Sequence, residues 1–392
     1  MKHYLNDVGL LCALGNNKAE ILPRLLAGDR SGLVSSHAFS AESVIVGQIN
    51  APLPDIPARY AFYQCRNNQL LLAALSQIRP TVENILTKFG KDRVGVVLGT
   101  STSGVRNTEL ALAYQAKHGD LPANFHYKQQ QMGAGADFLA AYLGITGVTY
   151  TISTACSSSG KAFASARRLI NLGVCDAVIV GGADSLCSLT IQGFAALASL
   201  STGLCKPFGL HRDGINIGEA ASLFVLSKEP SPIALLGIGA SSDAYHFSAP
   251  NPEGTFVITA MQTALDDAGK TPADIDYLNL HGTATLLNDA MESKAVHQLF
   301  GAKLAASSSK GMTGHTLGAA AALELGFCWL LLDRDDKQGV LIPNCNDDVI
   351  DHNLPALNLV AKGGYLGRKI KVCQSNSFAF GGNNLSLILA KI

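Results

Sequence analysis

Residues 148–173 read VTYTISTACSSSGKAFASARRLINLG. The run opens as a β-prone strand through Ile152, turns through polar residues, and continues as a helix of small residues closed by Gly173. One cysteine, Cys156, stands where strand gives way to helix. A second apolar run, DAVIVGGAD (176–184), follows at once as another strand. Strand, helix and strand within so short a span make a parallel βαβ unit and point to an α/β fold with buried parallel strands. RVGVVLGT (93–100), EAASLFVLS (219–227) and IALLGIGASSD (233–243) extend the series of strands.

The order repeats. VGVVLGTSTSG (94–104) is matched by IDYLNLHGTAT (275–285), a strand and then a Gly/Thr-rich turn. ISTACSSSGKAFASA (152–166) is matched by SSSKGMTGHTLGAAAALE (307–324), a polar turn and then a small-residue helix. The breakpoint falls near KEPSP, around Ser231, so the reading is two pseudo-repeated halves, 1–230 and 231–392. Both small-residue helices lack a broad charged face, and such helices are buried. They are expected to lie between two sheets, with outer helices covering the far faces.

The 392 residues are 47% hydrophobic and 15% charged, enough for a large core, with a formal net charge of zero. That balance offers no general attraction to nucleic acid or to an anionic membrane. The nine cysteines are scattered without a CxxC pair, as in a reduced, cytosolic protein. The opening MKHYLNDVGLLCALGNN lacks a signal-peptide layout. The longest apolar run, LGAAAALELGFCWLLLD (317–333), carries Glu324 and is short for a membrane span, so it reads as a buried helix and the chain as cytoplasmic.

The chemistry gathers around three residues. A cysteine at a helix start meets unpaired N–H groups and the positive end of the helix dipole, which favour a thiolate. His281 follows the strand IDYLNL, and His315 precedes the second small-residue helix. One thiol and two imidazoles at strand-to-loop junctions of the two halves form a candidate nucleophilic site. The other eight cysteines and eight histidines have no such setting and read as ordinary core or surface residues.

TACSSSGKAF (154–163), HGTATLLNDAMES (281–293), KGMTGHTLGAAAALE (310–324) and NSFAFGGNN (376–384) together resemble the elongating, Cys-His-His type of β-ketoacyl-acyl carrier protein synthase. ALGNNKAEILPRLLAGDRSG (13–32), CKPFGLHRDGINIGEA (205–220) and APNPEG (249–254) match in order, so the resemblance spans nearly the whole chain. It implies a thiolase-type fold of five layers, αβαβα, and a dimer. Cys156 would take an acyl group from carrier-protein phosphopantetheine, with the N–H groups of Cys156 and Phe380 as oxyanion hole. His281 and His315 would hold the malonyl thioester carbonyl and stabilise the enolate left by decarboxylation. Lys310, with Glu324, would support the histidines, and Asp289 would order the HGTATLLND loop. Thr283 and Thr285 would bind the pantetheine arm, and Gly381 and Gly382 would give the Phe380 loop its freedom. Lys206, Arg59 and Arg66 would face the acidic carrier. The family implies no cofactor or metal of its own, and as partner either a second copy or a cysteine-lacking chain-length factor.

The chain departs from the family pattern at Ala379 and Asn383 in the GFGGTN-type loop, at Gly209 for aspartate, at GEAAS for GEGAG, and at Leu286 for proline. These changes leave the three reactive side chains in place and suggest altered loop motion or substrate shape, so fatty-acid elongation and a specialised aryl polyene or polyketide-like lipid pathway fit equally well. Thiolases use a second cysteine near the C-terminus, where this chain has NSFAFGGNN. Coenzyme-A-primed starters replace one histidine with asparagine, and here both stand. An inactive chain-length or scaffold subunit would lack Cys156.

Overall fold

The computed structural model describes residues 2–349 and 351–392. Among these, eleven strands form one hydrogen-bonded set, joined at its middle where His3 and Tyr4 pair with Leu235 and Ala234. On one side of the join lie, from the edge inward, Thr149–Ile152, Val94–Gly99, Ala177–Asp184, Ala220–Ser227 and His3–Leu11. On the other lie Ala305–Ser307, Tyr277–Asn279, Val372–Ala379, Asn383–Lys391 and Ile233–Ser242, with the short Asn358–Leu359 beyond Ala305–Ser307. Chain order and strand directions are the same in both sets: the first three strands of each are parallel, and the last two join antiparallel.

Two helices fill the space between the sheets, Ser158–Asn171 after Cys156 and Ala320–Asp333 after His315. All of Ala320–Leu332 is buried. Small residues set the spacing: a Cβ on Gly160 would lie 2.1 Å from Leu385 Cδ2 and 3.0 Å from Ala321 Cβ. Arg66–Gln77 and Ala134–Leu143 cover the outer face of the first sheet, and Thr255–Ala268 with Leu286–Phe300 cover that of the second. Helices, sheet, helices, sheet, helices make the five-layer α/β architecture expected from the sequence. With both faces covered, a central strand such as Val94–Gly99 is buried at every residue, which explains its unbroken apolar run.

Gly173, with φ +71°, closes the Cys156 helix. The stretch read as the loop HGTATLLND is loop only to Thr285, because a helix starts at Leu286. Leu286 takes the first helical position, where the family's proline fits without loss because that N–H has no intrahelical partner. No helix among the described residues is long and apolar enough to cross a membrane.

Candidate active site

Cys156 sits on a tight turn, not inside its helix. Ala155 before it has φ +50°, an uncommon value for a residue with a side chain. Serine hydroxyls hold the turn: Ser158 Oγ donates to Ala155 O (2.5 Å) and accepts from Thr154 N (2.9 Å). Ser157, whose hydroxyl donates back to Thr154 O (2.9 Å), precedes the first helical residue, Ser158. The thiol is 6% exposed. Burial pushes its pKa up to about 11, with Lys310 and the N–H groups of Phe380 and Cys156 pulling the other way. The expectation of a thiolate favoured by the helix start is thereby corrected. Desolvation outweighs the dipole, because the thiol lies ahead of the first turn and out of water.

This has a measurable consequence. A thiol with a pKa near 11 is alkylated in proportion to its thiolate fraction, so the iodoacetamide rate at Cys156 should rise about tenfold per pH unit from pH 7 to 10. A rate that levels off below pH 8, followed by peptide mapping, would show an activated thiolate in the free enzyme.

His315 Nε2 lies 2.9 Å from Cys156 Sγ. Its backbone is clamped on both sides: His315 N donates to Asn216 O (2.7 Å), and Gly218 N to His315 O (2.9 Å). Leu317 N donates to His315 Nδ1 at 3.3 Å, which makes Nδ1 the acceptor and leaves the proton on Nε2, facing the sulfur. His281 stands across from it, ring centroids 5.5 Å apart and planes at 84°. The amides of His281 and Gly282 donate to the two oxygens of Glu292 (2.8 and 2.7 Å), and Lys310 Nζ donates to His281 O at 2.5 Å. Lys310 also pairs with Glu324, both within 2% of full burial. Burial, and after it the Lys310 charge, holds both imidazoles well below their usual pKa, so both are neutral at physiological pH. Burial likewise pushes Glu324 and Asp289 up to about 7.

The remaining expected residues divide into two groups. Thr283 and Thr285, hydroxyls 3.0 Å apart, and Phe380 line a cavity of about 270 Å³ that ends at Cys156, His281 and His315. Asp289 lies behind it and accepts from Phe208 N (2.7 Å) and Ala284 N (3.1 Å), which fixes the loop to the 205–209 segment. Gly381 and Gly382 have φ of +75° and +73°, and a Cβ on Gly382 would meet Asp243 Cβ at 2.7 Å. Phe380 leans on Phe194 at 5.4 Å. Phe380→Ala is expected to slow acyl transfer or broaden chain-length selectivity with folding unchanged. Unaltered rates and product lengths would leave Phe380 a packing residue only.

None of the three expected basic contacts lines this cavity. Arg66 places its guanidinium on the buried Glu219 (2.5 and 2.8 Å) and on Ile49 O (2.8 Å), with its side chain 34% exposed. Arg59 lies over the Tyr60 ring, whose hydroxyl bonds Ala141 O on the outer helix layer. Lys206 is half-buried near Asp213, a residue of the cavity wall. Cys373 hydrogen-bonds Cys328 in the core and takes no part in the cavity.

Gly209 has a local cause. A Cβ there would lie 2.4 Å from Asp347 Oδ1, and Asp347 pairs with His211 at 2.8 Å. Glu292 escaped the sequence reading. Its spacing of three from Asp289 was the available signal, since it puts both carboxylates on one helix face.

A buried thiol and two neutral imidazoles at the floor of a narrow cavity, on a doubled α/β scaffold, define an acyl-transfer enzyme of the thiolase fold. Residues 67–231 match the N-terminal domain of β-ketoacyl synthases and residues 233–346 the C-terminal domain, and the chain belongs to the β-ketoacyl synthase family. It is 34% identical over 419 residues to 3-oxoacyl-[acyl-carrier-protein] synthase 2 of Staphylococcus aureus strain N315, covering 99% of this chain and 97% of that one. Nodulation protein E of Rhizobium leguminosarum bv. trifolii is 30% identical over 404 residues, covering 99% and 98%. Among solved structures, the ketosynthase ApeO in complex with its chain length factor ApeC from Xenorhabdus doucetiae superposes with a TM-score of 0.95 at 46% identity, covering 100% and 98%. The chain is a condensing enzyme.

Proposed function

We propose that the chain elongates acyl groups by decarboxylating Claisen condensation, with both substrates carried as thioesters on the phosphopantetheine of an acyl carrier protein. The observation that carries this reading is the convergence of Cys156, His281 and His315, whose donor atoms lie within 4.8 Å of one another. Cys156 Sγ attacks the acyl thioester carbonyl, the carbonyl oxygen takes the negative charge, and as the bond from that carbon to the pantetheine sulfur breaks, the Cys156 thiol proton passes to that sulfur, which leaves as a thiol. The N–H groups of Phe380 and Cys156, both directed at the sulfur, stabilise that oxyanion. The malonyl thioester then enters along Thr283 and Thr285. The Nε2–H of His315 and an N–H of His281 hold its carbonyl oxygen as carbon dioxide departs. The enolate carbon attacks the acyl-Cys156 carbonyl, the Cys156 thiolate leaves, and a β-ketoacyl thioester remains on the carrier.

Neutral imidazoles suit this work, since each donates one N–H to a developing enolate and needs no proton exchange. Lys310, Glu324, Glu292 and Asp289 hold the histidine loops. A thiophilic divalent ion held by the same three donor atoms would occupy the sulfur, so it acts here as an inhibitor.

The partner in this reading is a second copy or a cysteine-lacking chain-length factor, and this chain, which has Cys156, is the catalytic subunit. The two halves, 1–230 and 231–392, supply the thiol and the histidines respectively. The setting is cytoplasmic. The pathway is a specialised polyene or polyketide-like one, a reading supported by the higher identity to a ketosynthase solved with its chain length factor than to 3-oxoacyl synthase 2.

Intact-mass analysis after incubation with a panel of acyl-carrier proteins tests the proposal. The expected result is one acyl adduct, mapped to Cys156, with a preferred chain. No adduct from any carrier, or an adduct on another cysteine, would overturn it.

A further inference from the structure

The strand Ala177–Asp184 ends on a carboxylate that the mechanism above leaves unused. Asp184 is fully buried and receives five donors. Thr100 Oγ1 (2.5 Å), Thr102 N (2.9 Å), Thr102 Oγ1 (2.9 Å) and Ser101 N (2.8 Å) reach one oxygen, and Gly318 N (2.5 Å) reaches the other, to which Ser101 N is also directed at 3.1 Å. The hydroxyl protons have a defined direction. Thr100 Oγ1 accepts from Ser103 N (3.0 Å) and Thr102 Oγ1 from Ser185 N (3.1 Å), so each gives its own proton to Asp184. Five donors and no acceptor around a buried carboxyl group describe an ionised carboxylate.

The two oxygens serve two turns, with the Ser101 amide shared between them. The first gathers Thr100–Ser103, where Ser103 has φ +45°. Ser103 Oγ donates to Gln131 O (2.8 Å), and Ser101 Oγ reaches Ala155 O (3.4 Å), the carbonyl just before Cys156. The second oxygen holds Gly318, next to Leu317, which has φ +51°. Leu317 N is the donor that fixes the His315 tautomer. Both turns hold a non-glycine residue at positive φ, a conformation that persists only where the surroundings enforce it.

We propose that Asp184 is a positioning residue that ties the turn under Cys156 to the turn that fixes the proton of His315 on Nε2. The proposal rests on the reading of His315 as an enolate donor. Asp184→Asn keeps the shape but presents an NH2 group to a site built only of donors, so at least one turn loses its anchor. Gly318→Ala disturbs the same junction from the other side, because its Cβ would lie 2.8 Å from Asp184 Oδ2 and from Ser101 N.

Three measurements on the full chain decide it: carbon dioxide release from malonyl-carrier protein, acyl loading by intact mass, and 15N spectra of histidine-labelled enzyme. In both variants kcat for carbon dioxide release is expected to fall about tenfold or more with KM within about threefold of wild type, and acyl loading to slow by a smaller factor as the sulfur loses part of its Nε2–H donor. The His315 signals should pass from a single Nε2–H tautomer to a mixture. Folded variants that keep the wild-type tautomer and decarboxylate at the wild-type rate would overturn the proposal. So would losses that merely track unfolded protein in circular dichroism, or the failure of both variants to fold, since either makes Asp184 scaffold only. Wild type and His315→Ala run in the same assay. If these two release carbon dioxide equally, the donor reading of His315 has failed, and the tautomer spectra alone decide whether Asp184 positions the ring.

Discussion

Cys156→Ala is expected to abolish acyl loading and β-ketoacyl formation while carbon dioxide release from malonyl-carrier protein continues. The reasoning is geometric. The substitution removes the sulfur and nothing that holds the histidines. His315 stays clamped between Asn216 and Gly218 with Leu317 N on its Nδ1. His281 stays on Glu292 and Lys310. Both imidazoles remain neutral, because their depressed pKa comes from burial and Lys310, neither of which the mutation changes. The thioester carbonyl of malonyl-carrier protein would still find two N–H donors, so the enolate still forms, and protonation replaces its attack on an acyl group. The measurement pairs labelled carbon dioxide release with intact mass. Any β-ketoacyl product from this variant would show that Cys156 is not the nucleophile.

The parts of this design that were legible in the sequence are those written in local pattern. The strand-turn-helix around Cys156 could be read from a β-branched run meeting small residues and a closing glycine. The burial of Ala320–Leu332 followed from the absence of a charged face. The matched order of turns anticipated the matched strand order of the two sheets. What could not be read depends on partners distant in the chain. The sequence shows a cysteine near a helix start but not the depth of burial, and burial decides the sign of its pKa shift. Arg66 looks like any surface arginine until Glu219, 153 residues away, is seen beneath it. Gly209 looks like a lost carboxylate until Asp347 is found where its Cβ would stand. Asp184 ends an ordinary apolar strand, and its five donors come from two loops that no periodicity links to it. Local spacing locates reactive groups, and long-range contacts tune them.

The contrast between the two half-reactions is sharpest at His315. His315→Ala is expected to leave Cys156 able to accept an acyl group, more slowly, and to cut carbon dioxide release steeply. Removing one preorganised donor from a developing oxyanion costs about 100- to 1,000-fold in rate, and the buried position of His315 keeps water from replacing it at full strength. The other half-reaction depends on different groups: the oxyanion there is held by the N–H groups of Phe380 and Cys156, which the substitution does not touch. Loading should still slow, since the sulfur loses an N–H donor at 2.9 Å and its thiolate becomes harder to form. Lys310 would make a poorer probe. Removing it strands the buried Glu324, and breaking such a pair costs about 3–5 kcal/mol of stability, which would confound rate with folding. The pH dependence gives an internal check. A histidine whose folded pKa is depressed stabilises the fold in its neutral form, and that contribution is lost as pH falls below the unfolded value of 6.5. Carbon dioxide release by wild type should therefore show no imidazolium titration from pH 8 down to 6.5, and any change in that window reports Glu324 or Asp289, which burial pushes up to about 7. A loss of less than tenfold in His315→Ala would remove His315 as a principal donor. Equal losses of loading and decarboxylation in this variant and in Cys156→Ala would end the division of labour between thiol and imidazoles.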